Sequence, residues 1–423
     1  MKTKNYMLLI VVGLTFQLMA QDKSGQGSSV AHPVMDVYIN CISCDFQYLK
    51  ENMSYLNFSR EPETADVYII VTSLPTGSGG EEFLMELAGR QRFAAIHDTL
   101  RFTTGADMTR SGIRNLMLDR LKTALVPFLL KTSFADNITV SFDKTNESYQ
   151  NDETDKWRNW LFAIGFSGSV HEEKSFSHLS VNPSIDVSKI TPDIKIEMAS
   201  HVDFNRNTYR FWENDSLVDS FVSAMKDFGL SGLIVKSAGD HAGIGGLVSV
   251  KSSLFYNLKK QIIVAPAFEY NLYKYKEASR KQLVIRYIAG YEHSDYVAPT
   301  IEGNLHNRLF WHEMTIGFSV VEKFGTIDAT IRGSNYLHEV SCYDLGAGFM
   351  ADINICKGFS VITNFNVEYR RNQISLQGGN LSPESQLLGI QEMETEFSFN
   401  AGIGFSFRFG SINNNTVNPR FDL

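Results

Sequence analysis

Ser237, Asp240 and His241 lie within five positions of one another and are the residue types a hydrolase uses. A serine nucleophile needs a histidine to take its proton, and a third polar group to orient that histidine. The local string is Ser-Ala-Gly-Asp-His, however, and Gly-Asp is turn chemistry. Alternating segments on both sides place the string between two strands, so its expected role is to close a hairpin.

The other reactive residue types also fall short of a site. Cys41 and Cys44 form a C-x-x-C pair after an apolar run, open to three readings: a local disulfide, a redox pair or half of a metal site. A tetrahedral zinc site wants four ligands and no second C-x-x-C exists. A redox pair would open a long helix, and the helical pattern here is short, so a local disulfide or two inert thiols is expected. Cys342 and Cys356 lie near opposite ends of one expected strand, about 45 Å apart at strand rise, and cannot pair. The tract Gly77–Gly80 is followed by Glu81 and Glu82, and lacks the lysine of a phosphate loop. The histidines show no metal-binding spacing. No catalytic, cofactor or metal site is expected.

Charged residues on the polar side of alternating segments are the more informative set: Lys195, Glu197, Asp203, Lys226, Glu269, Arg286, Glu292, Asp328, Arg332, Asp352, Glu368, Arg370, Glu396 and Arg408. Facing lipid, an arginine at mid-membrane costs ~2–4 kcal/mol, so these should line a lumen. Their mixed signs favour a filled or weakly selective interior, because a strongly selective pore tends to carry one sign.

That assignment rests on the segments themselves. Phe397, Phe399, Ala401, Ile403, Phe405, Phe407 and Phe409 share one face of an extended chain. Ser398, Asn400, Gly402, Gly404, Ser406 and Arg408 share the other. Similar runs recur at 160–172, 176–188, 194–211, 220–236, 242–256, 261–273, 282–295, 308–322, 326–337, 341–354, 359–372 and 395–409. About twelve strands, an even number, suit an outer-membrane barrel. The connections at 212–219, 297–308 and 374–393 are longer and should face outward. Trp157, Trp160, Trp212 and Trp311 fall near expected strand ends, as an aromatic girdle would place them.

Residues 33–142 read as a small α+β domain. It has strands at 36–39, 67–71, 82–88, 99–103 and 138–142, a short helix at 46–53 and an amphipathic helix over 110–131. Pro127 should loosen the last turn of that helix. Residues 143–156 form an acidic linker, 157–410 the barrel and 411–423 a polar tail. Residues 1–20 have the charged start, apolar core and small-residue end of a signal peptide, followed by a Gly/Ser-rich stretch over 21–32. Forty-three per cent of residues are hydrophobic and the net charge is −8, so no basic stripe argues for nucleic acid.

The string Val235–His241, the segment Ala265–Asn271 and the ending Phe409–Phe421 resemble a family of Bacteroidota outer-membrane barrels of unassigned function. So do the C-x-x-C at Cys41 and Cys44 and the tract Thr76–Gly80. The resemblance implies a periplasmic domain followed by a barrel, and it implies no activity. The front domain is also similar to the small domain preceding the propeller of Tol-system periplasmic proteins.

The expected protein is a transmembrane antiparallel β-barrel in the outer membrane, with its front domain in the periplasm. Its partners would be membrane lipid, the barrel-assembly machinery and a periplasmic protein bound through residues 33–142. A non-catalytic role in envelope structure or small-solute passage is expected. A lipid- or lipopolysaccharide-acting barrel hydrolase and a secreted soluble β-rich protein are the alternatives.

Overall fold

The computed structural model describes residues 34–41, 43–139, 156–356, 358–379 and 391–409. The expected signal peptide, the stretch after it, nearly all of the expected acidic linker and the C-terminal tail lie outside these residues.

The front domain contains β1 (Met35–Asn40), α1 (Phe46–Asn52), β2 (Leu56–Phe58), β3 (Val67–Pro75), β4 (Glu81–Gly89), β5 (His97–Thr103) and α2 (Arg110–Leu129). Its sheet runs β2-β1-β3-β4-β5, with β1 parallel to both neighbours and the other pairs antiparallel. Period-two burial of Met35, Val37 and Ile39 meets the α2 face of Met117, Leu121, Leu125 and Phe128 in one core. Side chains start both helices. Thr109 Oγ1 accepts from the Gly112 N–H at 3.1 Å, and Asp45 Oδ1 from the Tyr48 N–H at 3.0 Å. That bond, with Arg114 beside it, holds the Asp45 carboxyl below its ordinary range. α2 runs through Pro127 and ends two residues later. Ile138 and Thr139 are not in a strand, and 140–142 of that expected element lie outside the described residues. β2 is three residues long, too short for periodicity to reveal.

Twelve strands follow, in one antiparallel meander. They are β6 (Trp160–Glu172), β7 (Phe176–Ile190), β8 (Ile194–Glu213), β9 (Ser216–Ser237), β10 (Ala242–Ser253) and β11 (Leu258–Asn271). The second half is β12 (Lys281–Tyr296), β13 (His306–Glu322), β14 (Gly325–Tyr336), β15 (Glu339–Cys356), β16 (Phe359–Arg370) and β17 (Phe397–Phe407). Each matches one expected segment, with no end moved by more than four residues.

Register shows the tilt of a barrel wall. One lateral row runs Lys195, Val235, Gly245, Ala267, Ile288, Glu313, Ser334, Asp344, Arg370. Lys195 is the second residue of β8, at the front-domain end (the foot). Arg370 is the last residue of β16, at the far end. A row that climbs from one end to the other is the stagger a tilted barrel requires.

The outer face is apolar and uncovered. Ile164 is 84% exposed, Phe166 77%, Ile403 67% and Phe405 66%. A continuous belt of such residues belongs in lipid, because soluble proteins seldom leave one bare. No helix among the described residues is long and apolar enough to cross a membrane. The wall is parted at one place: among the described residues no ladder joins β6 to β17.

Candidate functional site

The lumen carries ion pairs laid along the rows. In one row Glu269, Arg286, Thr315, Arg332, Gly346 and Glu368 stand side by side on β11 to β16. Arg286 Nη2 lies 2.7 Å from Glu269 Oε2, and the Tyr275 hydroxyl, from the β11–β12 connection, donates to Glu269 Oε1 at 3.0 Å. Arg332 Nη2 donates to Asp344 Oδ1 at 3.2 Å and Glu368 Oε1 at 3.5 Å. Arg370 donates to the other oxygen of Asp344 at 3.2 Å and to Glu368 at 2.8 Å. Two arginines and two carboxylates therefore form a closed ring on the wall, with Asp344 the most buried member. Gly346 sits beneath it: a Cβ there would lie 3.7 Å from Arg332 Nε and 4.0 Å from Glu368 Cγ. A large side chain at 346 would push the guanidinium away.

Other expected lumen residues occupy the same face. Lys195 Nζ is 3.0 Å from Glu197 Oε1, and His201 Nε2 is 3.9 Å from Asp203 Oδ2. Glu292 is buried and accepts from Gln261 at 2.8 Å and Ser294 at 2.7 Å. Asp328 and Asp352 keep the inward parity of Arg332 and Asp344 on their strands. Arg408 lies just past β17, at the foot, beside Asn354 and Gly358.

Three placements differ from expectation. Lys226 is directly opposite Phe204 with its ammonium 5.7 Å from the ring, on the outer face, while its neighbour Asp227 takes the inward position opposite Asp203. β9 carries apolar residues at both parities (Leu230 and Ile234 outside, Leu233 and Val235 inside), so its phase is not readable from pattern. Glu396 precedes β17 and turns outward, accepting from the Tyr369 hydroxyl at 2.6 Å and from Arg371 Nη2 at 2.7 Å. Trp311 belongs to no girdle. It points into the lumen opposite Gly290, where a Cβ would stand 2.5 Å from the indole.

Sequence reasoning missed Asp186, Asp227, Lys251, Glu313 and Asp344. For Asp344 a signal existed, since the even-numbered inward series of β15 extends one step further.

The far end of the barrel is covered. The segment following β16 reaches the tops of β10 to β13, about half-way round a twelve-strand wall. Asn257, buried between β10 and β11, donates through Nδ2 to Ala298 O at 2.9 Å and Ser375 O at 3.0 Å. Ile301 N–H donates to Leu376 O, and Glu392 N–H to Phe255 O, both at 2.9 Å. The Glu392 carboxylate lies 4.0 Å from Arg370 Nη1, so this lid rests on the lumen's ion ring. Leu376 of this segment is buried, as are Leu258, Tyr296 and Leu309 at the same end of the barrel.

The foot is covered by the front domain. Arg280, just before β12, places Nε 3.2 Å from Glu86 Oε2 and Nη2 3.7 Å from Glu322 Oε2. Lys323 Nζ lies 5.7 Å from the ring centre of Tyr68, which stacks on Tyr38, and Asn354 of β15 lies near the Tyr38 hydroxyl. Burial there raises both phenols, Tyr68 to about 12. Gly77 packs on Ile190, where a Cβ would meet the isoleucine Cβ at 2.6 Å, and Gly79 faces Leu161. The glycine tract is a hairpin turn, as expected, and it also lets the domain approach the wall closely. On the inner wall of β7 to β12 there is a cavity of about 910 Å³.

The remaining reactive residues do not assemble. Ser237 Oγ donates to Pro192 O at 2.7 Å, His241 Nδ1 is 2.8 Å from Asn271 O, and Asp240 is 3.4 Å from Lys274. Each turns to a different partner at the foot. Cys41 and Cys44 are joined in a disulfide, with Cα atoms 5.6 Å apart. Cys342 and Cys356 are free thiols. Among the described residues no cluster could hold a metal ion.

No family model matches the chain, and no curated protein matches it. Among solved structures it is similar to the NanC porin at 10% identity, over 58% of this chain and all of that one, with a TM-score of 0.27. It is also similar to the translocator domain of the autotransporter NalP from Neisseria meningitidis, at 12% identity, over 59% of this chain and 87% of that one, with a TM-score of 0.25. The chain folds as a twelve-strand antiparallel β-barrel behind a small mixed domain.

Proposed function

We propose that this is a non-catalytic outer-membrane barrel, closed at rest, that passes small polar solutes when its covers move. In this reading residues 1–20 export the chain, the front domain lies in the periplasm and the lid faces outward. Its lumen carries both signs, with eleven inward carboxylates to six inward cations, and so favours cations weakly. The observation that carries the reading is the docking of the front domain on the barrel foot through Arg280, Glu86 and Glu322. A domain that only tethered a partner would have no need to span the mouth.

A groove beside the disulfide, lined by Asp45, Phe83, Arg110, Ile113, Arg114 and Met117, is separate from the residues that touch the barrel. It leaves the domain a surface for a periplasmic protein, whose binding would draw the cover away. Liposome swelling tests the passage reading. Intact protein should admit sugars and amino acids slowly, and Arg280→Ala together with Asn257→Ala should speed entry severalfold. Equal rates from both proteins would refute it.

A further inference from the structure

The seam between β6 and β17 remains. Every other neighbouring strand pair in the wall is joined by a ladder, yet among the described residues none joins the first strand to the last. The inward side chains bordering the gap are small or uncharged: Ala163, Gly165 and Ser167 on β6, Asn400, Gly402 and Gly404 on β17. Nothing there bars the gap by bulk or charge, whereas the barrel's ends are covered by lid and front domain.

The cavity lies one strand in from the seam, its wall starting on β7. Ala163 is directly opposite Asp186 and Leu161 opposite Ser188, and both β7 residues line it. The same lateral rows continue to Glu197, Leu233 and Leu247, so the cavity wall begins one strand from the free edge. Inward Gly243 and Gly245 hollow out its floor on β10. Lys195 with Glu197, and Glu269 with Arg286, put both signs of charge on either side of apolar Val235 and Ile288.

Bare strand edges facing hydrocarbon are expensive, because lipid offers their amide groups no partner. A parted seam is tolerable only with polar atoms in the gap, from lumen water or from a ligand. An amphiphile meets that need: its head lies in the charged cavity and its chains lie outside, along Phe162, Ile164 and Phe405.

We propose that the β6–β17 seam is a lateral portal through which the cavity takes up a membrane amphiphile with a zwitterionic headgroup. The portal is independent of end-to-end solute passage, and it closes when the two edges zip together. The test uses the full chain with Cys342→Ser and Cys356→Ser, in liposomes containing a phosphatidylethanolamine that carries a photoreactive head. Adducts are expected on inward residues of 161–167 and 186–199. Tethering Ser167→Cys to Gly402→Cys with a short bis-maleimide should cut them about tenfold, while a tail-labelled lipid still marks Ile164 and Ile403. Inward adducts that are missing, or that survive the tether, overturn the proposal. Spin labels at 167 and 402 give a second reading against the laddered pair 167 and 182. A distribution as short and narrow as that control means a permanently closed wall and also overturns it. Swelling rates that respond to cover mutations, with no inward adducts, would leave the solute reading standing and remove this one.

Discussion

Arg280 joins the two parts of the molecule: its guanidinium reaches Glu86 of the front domain at 3.2 Å and Glu322 of the barrel at 3.7 Å. Arg280 is largely shielded and the two carboxylates are partly exposed, so the contact lies between a surface ion pair and a buried one. Its loss should weaken docking by about 1–2 kcal/mol. In Arg280→Ala, amide exchange at Gly77–Gly80 should accelerate while exchange within β3 and β4 stays slow. Unchanged exchange in the turn would mean that other contacts hold the domain.

A small residue at 346 leaves room for the ring that crosses it. Gly346→Ala should be nearly silent, since a Cβ meets its neighbours at ordinary contact distance. Gly346→Leu should displace Arg332 and cost ~1–3 kcal/mol as an overpacked site. Urea unfolding in detergent micelles, followed by tryptophan emission, compares the two. Equal midpoints would show that Arg332 can be accommodated elsewhere.

The two faces of β17 should respond oppositely to charge. Ile403→Arg puts a cation on the lipid face and should cost ~2–4 kcal/mol and depress assembly. Asn400→Arg points to the lumen and should be milder. Spin labels stepped through 397–407 should alternate, odd positions accessible to a lipid-soluble quencher and even positions to a polar one. A helical period would contradict the barrel wall.

Tyr68 makes front-domain stability sensitive to strong alkali. Burial raises its phenol from 10.0 to about 12, so the unfolded chain gives up this proton first. The stabilisation is complete below pH 10 and disappears as pH climbs through about 12. Tyr68→Phe should flatten that loss, read by denaturant midpoints at pH 9 and pH 11.5. A wild-type midpoint that does not move between them would exclude the effect.

Much of this architecture is legible in the chain because a barrel strand has two faces of opposite character. Where aromatics mark one parity, as over Phe397–Phe409, strand, phase and facing all follow. Where both parities are apolar, as around Leu230–Val235, phase is lost, and Lys226 and Asp227 are exchanged between faces. Glu396 shows a different limit: alternation ends where the strand ends, and the next side chain is free to turn. Trp311 is misplaced because strand-end position says nothing of which face a ring takes. The lid, the Arg280 contact and the seam depend on which distant segments meet, and periodicity carries no record of that.

The central claim, a barrel stoppered by its own front domain and lid, is tested most directly by single-channel current in a planar bilayer. The intact chain should be silent or open only briefly. Removing residues 33–142 and adding Asn257→Ala should together give sustained, weakly selective current. Steady current from the intact chain, or silence from the doubly altered one, would contradict the account.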